Sequence, residues 1–373
     1  MIKFIIIDLM LICAYSSYTD LHVYQLEHAT RVLEWTSGRT VCVAGFSSSK
    51  NEILELSLPL RLLAEQNKGL CAERDFKVVH GGFSEAPIHS LKHIPGTRFA
   101  VSSDGQSSSL LLWDLGGDDS DVIRRTGQID IKCESLVGGQ EGRKMAAPPS
   151  RCSEPKILHG ATTNDLCTLL ISSNVNSSCL SSACAVSEPL SCLQFLSEGV
   201  FVCGSVNGSV LEVDSRSPAP PTCHPAPLPS DSTAWSMDVC GGGLVVRSRA
   251  SGHTVVSDLR KMDSRLAQAQ VTASDGKNRG SLNVTWAPAL QHHIALSGVN
   301  GLVQIYNTSL WGAELQPAHA QFEHRGHVVS SHEDDVITTS HAWHPERPRT
   351  LLSAASDASV HVWDWNHQSE SSK

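Results

Sequence analysis

The sequence RGH at residues 325–327, followed by TTSHAWHPERPRTLLSAASDASVHVWDW at residues 338–365, decides the fold of this chain. A glycine and a histidine come first, then an apolar strand, a second strand of small residues and a tight turn at Asp357. A third strand follows and ends in Trp363 and Asp364. This order is typical of one WD-repeat blade, the four-stranded antiparallel unit of a β-propeller.

Four side chains of this unit are predicted to form a hydrogen-bonded tetrad: His327, Ser353, Asp357 and Trp363. The carboxylate at the turn is expected to lie among the imidazole, the hydroxyl and the indole, because a half-buried aspartate is costly unless it is paired. The pattern therefore assigns these residues a structural role.

The third-strand pattern recurs along the chain and predicts an all-β, seven-bladed propeller. The interval between Asp114 and Asp214 is about twice as long as the other intervals between strand ends, so it must contain one more copy. The apolar segment at residues 166–173 is predicted to be the third strand of this degenerate copy. The other predicted third strands end at Ser57, Asp114, Asp214, Asp258, Asn307 and Asp364.

Each copy also opens with a strand that ends on a bulky residue. Asp-Gly and Asn-Gly dipeptides at Asp104, Asn207 and Asn300 predict tight turns between the second and third strands. The first strands are predicted at residues 30–35, 90–94, 191–196, 232–239, 281–286 and 338–343.

The last copy ends after three strands, and an open blade would leave unpaired backbone groups at its edge. The segment HVYQLEH at residues 22–28 is predicted to supply the fourth strand and close the ring. One domain over residues 22–366 follows, after an atypical apolar segment at residues 1–21. Residues 138–155 and 215–232 are predicted as degenerate, mobile loops, and residues 367–373 as a disordered tail.

Composition restricts the classes of function and the cellular compartment that are expected. The net charge of −9, without basic clusters, disfavours a nucleic-acid surface. The twelve cysteines form no CxxC pair and favour reduced thiols in a cytosolic or nuclear protein. The apolar run at the start resembles a short signal peptide interrupted by Asp8, is too short for a comfortable membrane span, and is interpreted as an atypical start.

No catalytic, cofactor-binding or metal-binding site is predicted. The glycine run at residues 241–243 precedes no helix that would cradle a phosphate, and no nucleophile elbow or kinase motif is present. Histidines crowd the carboxy-terminal part, but their pairs are offset and include neither H-x-H nor HExxH, so a metal site is not expected. The histidines concerned are His319, His324, His327, His332, His341 and His344.

Several segments resemble the WD repeat-containing protein 73 family, and the resemblance extends over residues 29–365. The family's polar, acidic first segment is replaced here by the apolar run through Ile12, and the middle blades lack clean glycine-histidine and tryptophan-aspartate pairs. The segments are ATRVLEW (29–35), VAGFSSSKNEILELSLPLRL (43–62), NKGLCAERDFKVVHGGFS (67–84), VTWAPAL (284–290), HRGH (324–327) and WHPERPRTLLSAASDASVHVWDW (343–365).

The resemblance implies a non-enzymatic, monomeric cytoplasmic scaffold that associates with spindle poles and microtubules in dividing cells. It also implies a role in assembling the RNA endonuclease module of the Integrator complex. Its partners would be a metallo-β-lactamase nuclease subunit and the inactive paralogue of that subunit, stabilised as a heterodimer before nuclear import. Direct nucleic-acid and membrane contacts are not expected.

Two alternatives remain open. VDSR and SDLR, ending at Arg216 and Arg260, resemble the D-x-R endings of cullin-type ubiquitin ligase receptors, although such endings also occur in ordinary blades. A secreted ligand-binding propeller would require the first segment to be a true signal.

Candidate partner contacts lie in three family-like segments whose residues strand periodicity does not explain, at residues 67–76, 80–83 and 347–349. The structural explanation is a long hairpin for the first segment and a turn around Pro345 and Pro348 for the last. The candidates are Lys68, Arg74, Arg347 and Arg349.

Overall fold

The computed structural model describes residues 18–47, 50–59, 76–107, 109–117, 119–131, 142–152, 154–171, 176–179, 187–229, 233–272, 282–299, 301–330 and 336–366. In this part of the chain, seven sheets built on four antiparallel strands each form a ring, as the sequence predicts. No helix among the described residues is long and apolar enough to cross a bilayer.

The first four blades follow one another in chain order. Blade 1 contains β2 (Glu34–Trp35), β3 (Thr40–Ala44), β4 (Asn51–Ser57) and β5 (Lys77–Ser84). Blade 2 contains β6 (Ser90–His93), β7 (Phe99–Ser103), β8 (Ser109–Asp114) and β9 (Arg124–Asp130). Blade 3 contains β10 (Lys144–Ala146), β11 (Lys156–Gly160), β12 (Cys167–Leu170) and β13 (Asn176–Cys179). Blade 4 contains β14 (Leu190–Phe195), β15 (Val200–Ser205), β16 (Val210–Asp214) and β17 (Thr222–His224).

The remaining blades complete the ring. Blade 5 contains β18 (Trp235–Val239), β19 (Leu244–Arg249), β20 (His253–Asp258) and β21 (Lys261–Gln270), with β25 (Gln316–Pro317) added in parallel at its edge. Blade 6 contains β22 (Asn283–Trp286), β23 (His293–Val299), β24 (Leu302–Asn307) and β26 (Phe322–His324). Blade 7 contains β27 (Thr338–Trp343), β28 (Thr350–Ala355), β29 (Ser359–Trp365) and β1 (Tyr18–Gln25), and the short helix α1 (Gly326–Ser330) precedes it.

The predicted third strands match the structure closely. Strands β4, β8, β16, β20 and β24 end at the predicted residues, and β12 is the degenerate copy placed at residues 166–173. The turns before β8, β16 and β24 contain Gly105, Gly208 and Gly301, whose φ values are +76°, +94° and +70°. Side chains other than glycine rarely adopt this left-handed conformation, which explains the dipeptides found there.

Two segments predicted as loops contribute strands instead. Residues 138–155 contain β10, where Met145 and Ala146 are buried, and residues 215–232 contain β17. Each strand has three residues, which is too short for an alternating pattern to stand out against neighbouring prolines. In blade 1 the first strand is shorter than predicted, since it contains only Glu34–Trp35 of the predicted residues 30–35.

Blade 7 is buried on both faces because successive side chains of a strand point in opposite directions. Val360 and Val362 of β29 pack with Val43 of blade 1. Trp363 packs on the opposite face with Phe322 of blade 6, and their ring centroids lie 5.4 Å apart. Blade 7 therefore shares one hydrophobic cluster with blade 1 and a second one with blade 6.

Polar side chains also join the first strands of neighbouring blades. Lys92 Nζ of β6 lies 2.8 Å from Glu34 Oε2 of β2. Thr285 Oγ1 of β22 lies 2.7 Å from His341 Nε2 of β27. These contacts connect blade 1 to blade 2 and blade 6 to blade 7, so the inner strands hold one another in place.

The amino-terminal strand closes the ring, as predicted. Strand β1 pairs antiparallel with β29 but begins at Tyr18, four residues before the predicted start at His22. The extension is stabilised by Tyr18, whose ring centroid lies 5.1 Å from that of Phe322. The Tyr18 hydroxyl lies 2.8 Å from His324 Nδ1, so the strand contacts blade 6 as well as blade 7.

We expect Tyr18→Ala to lower the free energy of unfolding by about 3 kcal/mol, because it removes an aromatic ring from the seam. Tyr18→Phe keeps the ring, and we expect it to cost about 1 kcal/mol for the lost hydrogen bond. Urea unfolding followed by tryptophan fluorescence measures both values. Two small and equal effects would contradict a closing role for this residue.

Candidate functional site

The side chains of the predicted tetrad lie at the blade 6 to blade 7 seam. His327 comes from α1, Ser353 from β28 and Trp363 from β29. His327 Nε2 lies 2.8 Å from Ser353 Oγ, and Trp363 Nε1 donates to the same oxygen at 3.1 Å. All three side chains are fully buried, so these bonds replace the water that the polar groups lose on folding.

Ser359 links the turn carboxylate to the imidazole, a role that the sequence analysis did not assign. Ser359 Oγ donates to Asp357 Oδ1 at 2.6 Å and lies 2.8 Å from His327 Nδ1. Because the carboxylate only accepts, the serine hydroxyl must accept from His327 Nδ1–H, and Ser353 must donate to Nε2. The polarity of the whole network, from indole to carboxylate, is thereby determined.

Two further histidines extend this network. His324 stacks on Trp363 with ring centroids 4.6 Å apart, and His361 stacks on His327 at 3.8 Å. His324 Nε2 lies 3.1 Å from His361 Nδ1. Strand periodicity was the available signal for His361, because it alternates along β29 on the same face as Ser359 and Trp363.

Gly326 is needed for this close packing. A Cβ atom at this position would lie 2.6 Å from His324 Cε1 and 2.9 Å from His361 Nδ1, well inside contact distance. The glycine of the glycine-histidine pair therefore allows the two imidazoles to approach the backbone.

The buried histidines are held in the neutral form. Burial, with a smaller contribution from His361, lowers the pKa of His324 and of His327 well below the usual value. Burial also lowers the pKa of His361 and of His341 to about 4. The seam therefore carries no histidine charge near neutral pH.

Three ring nitrogens lie within 4.8 Å of one another, one each from His324, His327 and His361. The sequence predicts instead that the histidine pairs of this region are offset from one another. The rings of His327 and His361 are nearly parallel, with an interplanar angle of 19°. Nitrogen lone pairs lie in the ring plane, so those of parallel stacked rings do not converge on one tetrahedral ion. Serine hydroxyls also contact both nitrogens of His327. The arrangement is that of a hydrogen-bonded core.

Other blades build their polar cores from different residues. In blade 2, Trp113 Nε1 donates to Ser102 Oγ at 2.8 Å. In blade 3, Arg143 follows a glycine at the position of the histidine and pairs with the turn residue Asp165 at 3.0 Å. Blade 3 thus keeps a polar link between the blade entry and the turn with different chemistry, whereas blade 2 keeps a tryptophan-serine bond between its third and second strands.

A buried carboxylate joins blades 1 and 2, and sequence reasoning missed it. Arg98 of blade 2 donates to both carboxylate oxygens of Glu55, at 3.1 and 2.6 Å. Burial opposes ionisation, but the bonds from Arg98, Thr36 and His80 outweigh it and lower the pKa of Glu55 to about 2. Because the partners are separated by 43 residues, the sequence carries no local signal for this pair.

Two of the four candidate contact residues lie in the described chain. Arg349 is exposed, and its guanidinium carbon lies 5.6 Å from the centroid of the Trp365 ring. The Arg347 backbone N–H donates to His344 Nδ1 at 3.0 Å, so the turn around it is capped by a histidine. Lys68 and Arg74 lie outside the described residues.

The two D-x-R endings adopt the same geometry on neighbouring blades. Arg216 donates to both oxygens of Asp214 at 2.9 Å, and Arg260 pairs in the same way with Asp258. The arginine side chains remain 68% and 82% exposed. Each arginine is therefore ordered by its own strand end while its outer face stays open to solvent.

A seven-bladed ring with a WD-type tetrad defines the class of this protein as a WD-repeat β-propeller. No family model matches the sequence. The chain is 42% identical over 365 residues to the Integrator complex assembly factor WDR73 of Danio rerio, covering 94% of each chain. It is 40% identical to the Mus musculus protein of that name, covering 93% of this chain and 95% of the relative, and 38% identical to the Homo sapiens one, covering 93% and 94%.

Identity at this level over nearly the whole length places the chain in the WD repeat-containing protein 73 family. The fold makes it a WD-repeat β-propeller, and the relatives to which it is similar are named as Integrator complex assembly factors.

We expect Asp357→Ala to lower the free energy of unfolding by about 1 to 3 kcal/mol, because the polarised network loses its terminal acceptor. Asp104 occupies the equivalent turn of blade 2, where its carboxylate accepts from the backbone N–H groups of Gln106 and Ser107. Asp104→Ala is the matched control and is expected to cost less. Calorimetric melting of both variants tests this, and an unchanged transition for Asp357→Ala would contradict it.

Stability should depend on pH through His341, whose folded pKa is about 4, whereas an unfolded histidine titrates at about 6.5. Between these pH values the unfolded chain binds a proton that the folded chain does not. The free energy of unfolding therefore falls by up to about 1.4 kcal/mol for each such histidine when the pH is lowered by one unit. The stability advantage of the wild type over His341→Gln should therefore shrink as the pH falls through this window. Urea unfolding at several pH values measures it, and a constant difference would contradict a neutral, buried His341.

Proposed function

We propose that this chain assists assembly of the Integrator complex by binding its RNA endonuclease heterodimer, the metallo-β-lactamase nuclease subunit and its inactive paralogue. The observation that carries the proposal is the match over 94% of the chain to a protein named for Integrator assembly. In this proposal the scaffold stabilises the heterodimer in the cytoplasm before nuclear import. It acts without catalysis of its own.

The architecture supports a binding role. A ring closed by β1 holds its blades rigidly, and its turns present separate surfaces to large partners. The histidines at the blade 7 seam are buried, neutral and bonded to one another or to serines, which gives them a structural role. Contacts with partners are therefore assigned to exposed residues at the turns, among them Arg349.

The same scaffold is proposed to associate with spindle poles and microtubules during mitosis and to be cytoplasmic otherwise. This part rests on the family resemblance of the sequence. Imaging of the tagged chain through the cell cycle tests it, and a uniform distribution in mitotic cells would contradict it.

A second candidate function is substrate recognition for a cullin-type ubiquitin ligase. The observation that favours it is the equivalent, exposed geometry of Arg216 and Arg260 on blades 4 and 5. In this case the two arginines would contact the ligase adaptor.

Affinity purification of the full chain distinguishes the two functions. We expect the nuclease subunit and its paralogue to copurify, and the combined reversal of Arg347 and Arg349 to glutamate to weaken recovery by about tenfold, as loss of a charged interface contact does. The same reversal at Lys68 and Arg74 tests the other segment.

Arg125→Glu is the matched control, because Arg125 is exposed on the outer strand β9 of blade 2. Purification without the nuclease subunits would contradict the first proposal. Recovery of a ligase adaptor that is lost on Arg216→Ala and Arg260→Ala would favour the second.

A further inference from the structure

Residues 225–229, with the sequence PAPLP, form a strap that leaves blade 4 after β17 and lies against blade 5. Proline has no backbone N–H, so this segment cannot continue as a regular strand of the sheet. Its carbonyl oxygens therefore need hydrogen-bond donors from elsewhere.

Three arginines of blade 5 supply those donors. Arg249 Nη2 donates to the Pro229 carbonyl at 2.9 Å, and Arg265 Nη2 donates to the Pro227 carbonyl at 2.8 Å. Arg247 Nη1 reaches the Pro225 carbonyl at 3.4 Å and the Gly208 carbonyl at 3.2 Å. The arginine row, defined as Arg247, Arg249 and Arg265, thus contacts the carbonyls of three alternate prolines.

The arginine row includes a buried positive charge that no carboxylate neutralises within the described residues, that of Arg247. Arg247 is 1% exposed, and its Nε atom has no hydrogen-bond partner. Within the described residues, no ion pair is formed by Arg247 or Arg265. Burial, with a contribution from Arg265, lowers the pKa of Arg247 to about 10. Because peptide carbonyls rather than carboxylates accept from Arg247 and Arg265 within the described residues, the site recognises a backbone with free acceptors.

The strap lies at the surface of the propeller. Pro225 and Pro229 are exposed, and the residues between them are half-buried. Strand β17 before it pairs over only three residues with β16. The arginine bonds join the strap to blade 5, and a competing segment can satisfy the same donors.

We propose that the arginine row is a docking site for a proline-rich segment of another protein, and that the chain's own strap occupies it in cis. Prolines leave carbonyls without competing N–H groups and present a preformed extended backbone, which lowers the entropic cost of binding. A tethered segment competes at an effective concentration in the millimolar range. The strap thus restricts the site to partners that bind tightly or are themselves tethered nearby.

Fluorescence anisotropy with a labelled peptide of sequence HPAPLP, copied from residues 224–229, tests the proposal. The receptor is the full chain in which residues 225–229 are replaced by GSGSG. We expect this variant to bind the peptide with a Kd about tenfold or more below that of the wild type, because the cis competitor is gone. The peptide HAAALA controls for the prolines and is expected to bind more weakly.

Arg265→Gln in the replaced chain should weaken peptide binding by about fivefold or more, since it removes one charged donor. Arg260→Gln is the matched control, an exposed arginine of blade 5 that pairs with Asp258 instead of the strap. If the replaced chain folds and binds no more tightly than the wild type, the proposal is overturned. Equal binding of HAAALA, or no effect of Arg265→Gln, overturns it as well.

If the replaced chain does not fold, the double variant Pro225→Gly and Pro229→Gly takes its place. It keeps the strap carbonyls but raises the entropic cost of ordering them. A Kd equal to that of the wild type in this variant also overturns the proposal.

Discussion

The pairing of β1 with β29 is the constraint on which the rest of this structure depends. A propeller blade buries its faces against its neighbours, so each blade is stable only while the ring is closed. Here the closing strand comes from the amino terminus, and it contacts both blade 7 and blade 6. The buried histidines are in contact with this strand, because the Tyr18 hydroxyl lies 2.8 Å from His324 and His324 contacts His361. Closure and the polar core are therefore two parts of one assembly, joined through Tyr18 and His324.

The polar core explains why one blade is well formed while others are degenerate. In blade 7 the chain of donors and acceptors ends on Asp357, and every member has a defined direction. Other blades replace it with Arg143 and Asp165, or with a single tryptophan-serine bond. Because each blade is also held by its neighbours, a ring tolerates such replacements. Glu55 and Arg98 add a similar bond across the seam between blades 1 and 2.

Much of the fold could be predicted because strand alternation and turn dipeptides are local signals. The ends of β8 and β20 follow from them directly. Three-residue strands such as β10 lack that signal. The role of Ser359, the Glu55 to Arg98 pair and the arginine row could not be predicted, since each depends on side chains that meet only after the ring closes. The exposed arginines at the D-x-R endings were visible in the sequence, but their ordering by Asp214 and Asp258 was not.

Hydrogen exchange of the native chain, resolved by peptide mass spectrometry, tests ring closure most directly. If β1 is an integral part of the closed ring, its amides should exchange together with those of β28 and β29, at the rate of global unfolding. Fast exchange in β1 while β28 and β29 remain protected would show that the ring stays folded without its closing strand, and would contradict this account.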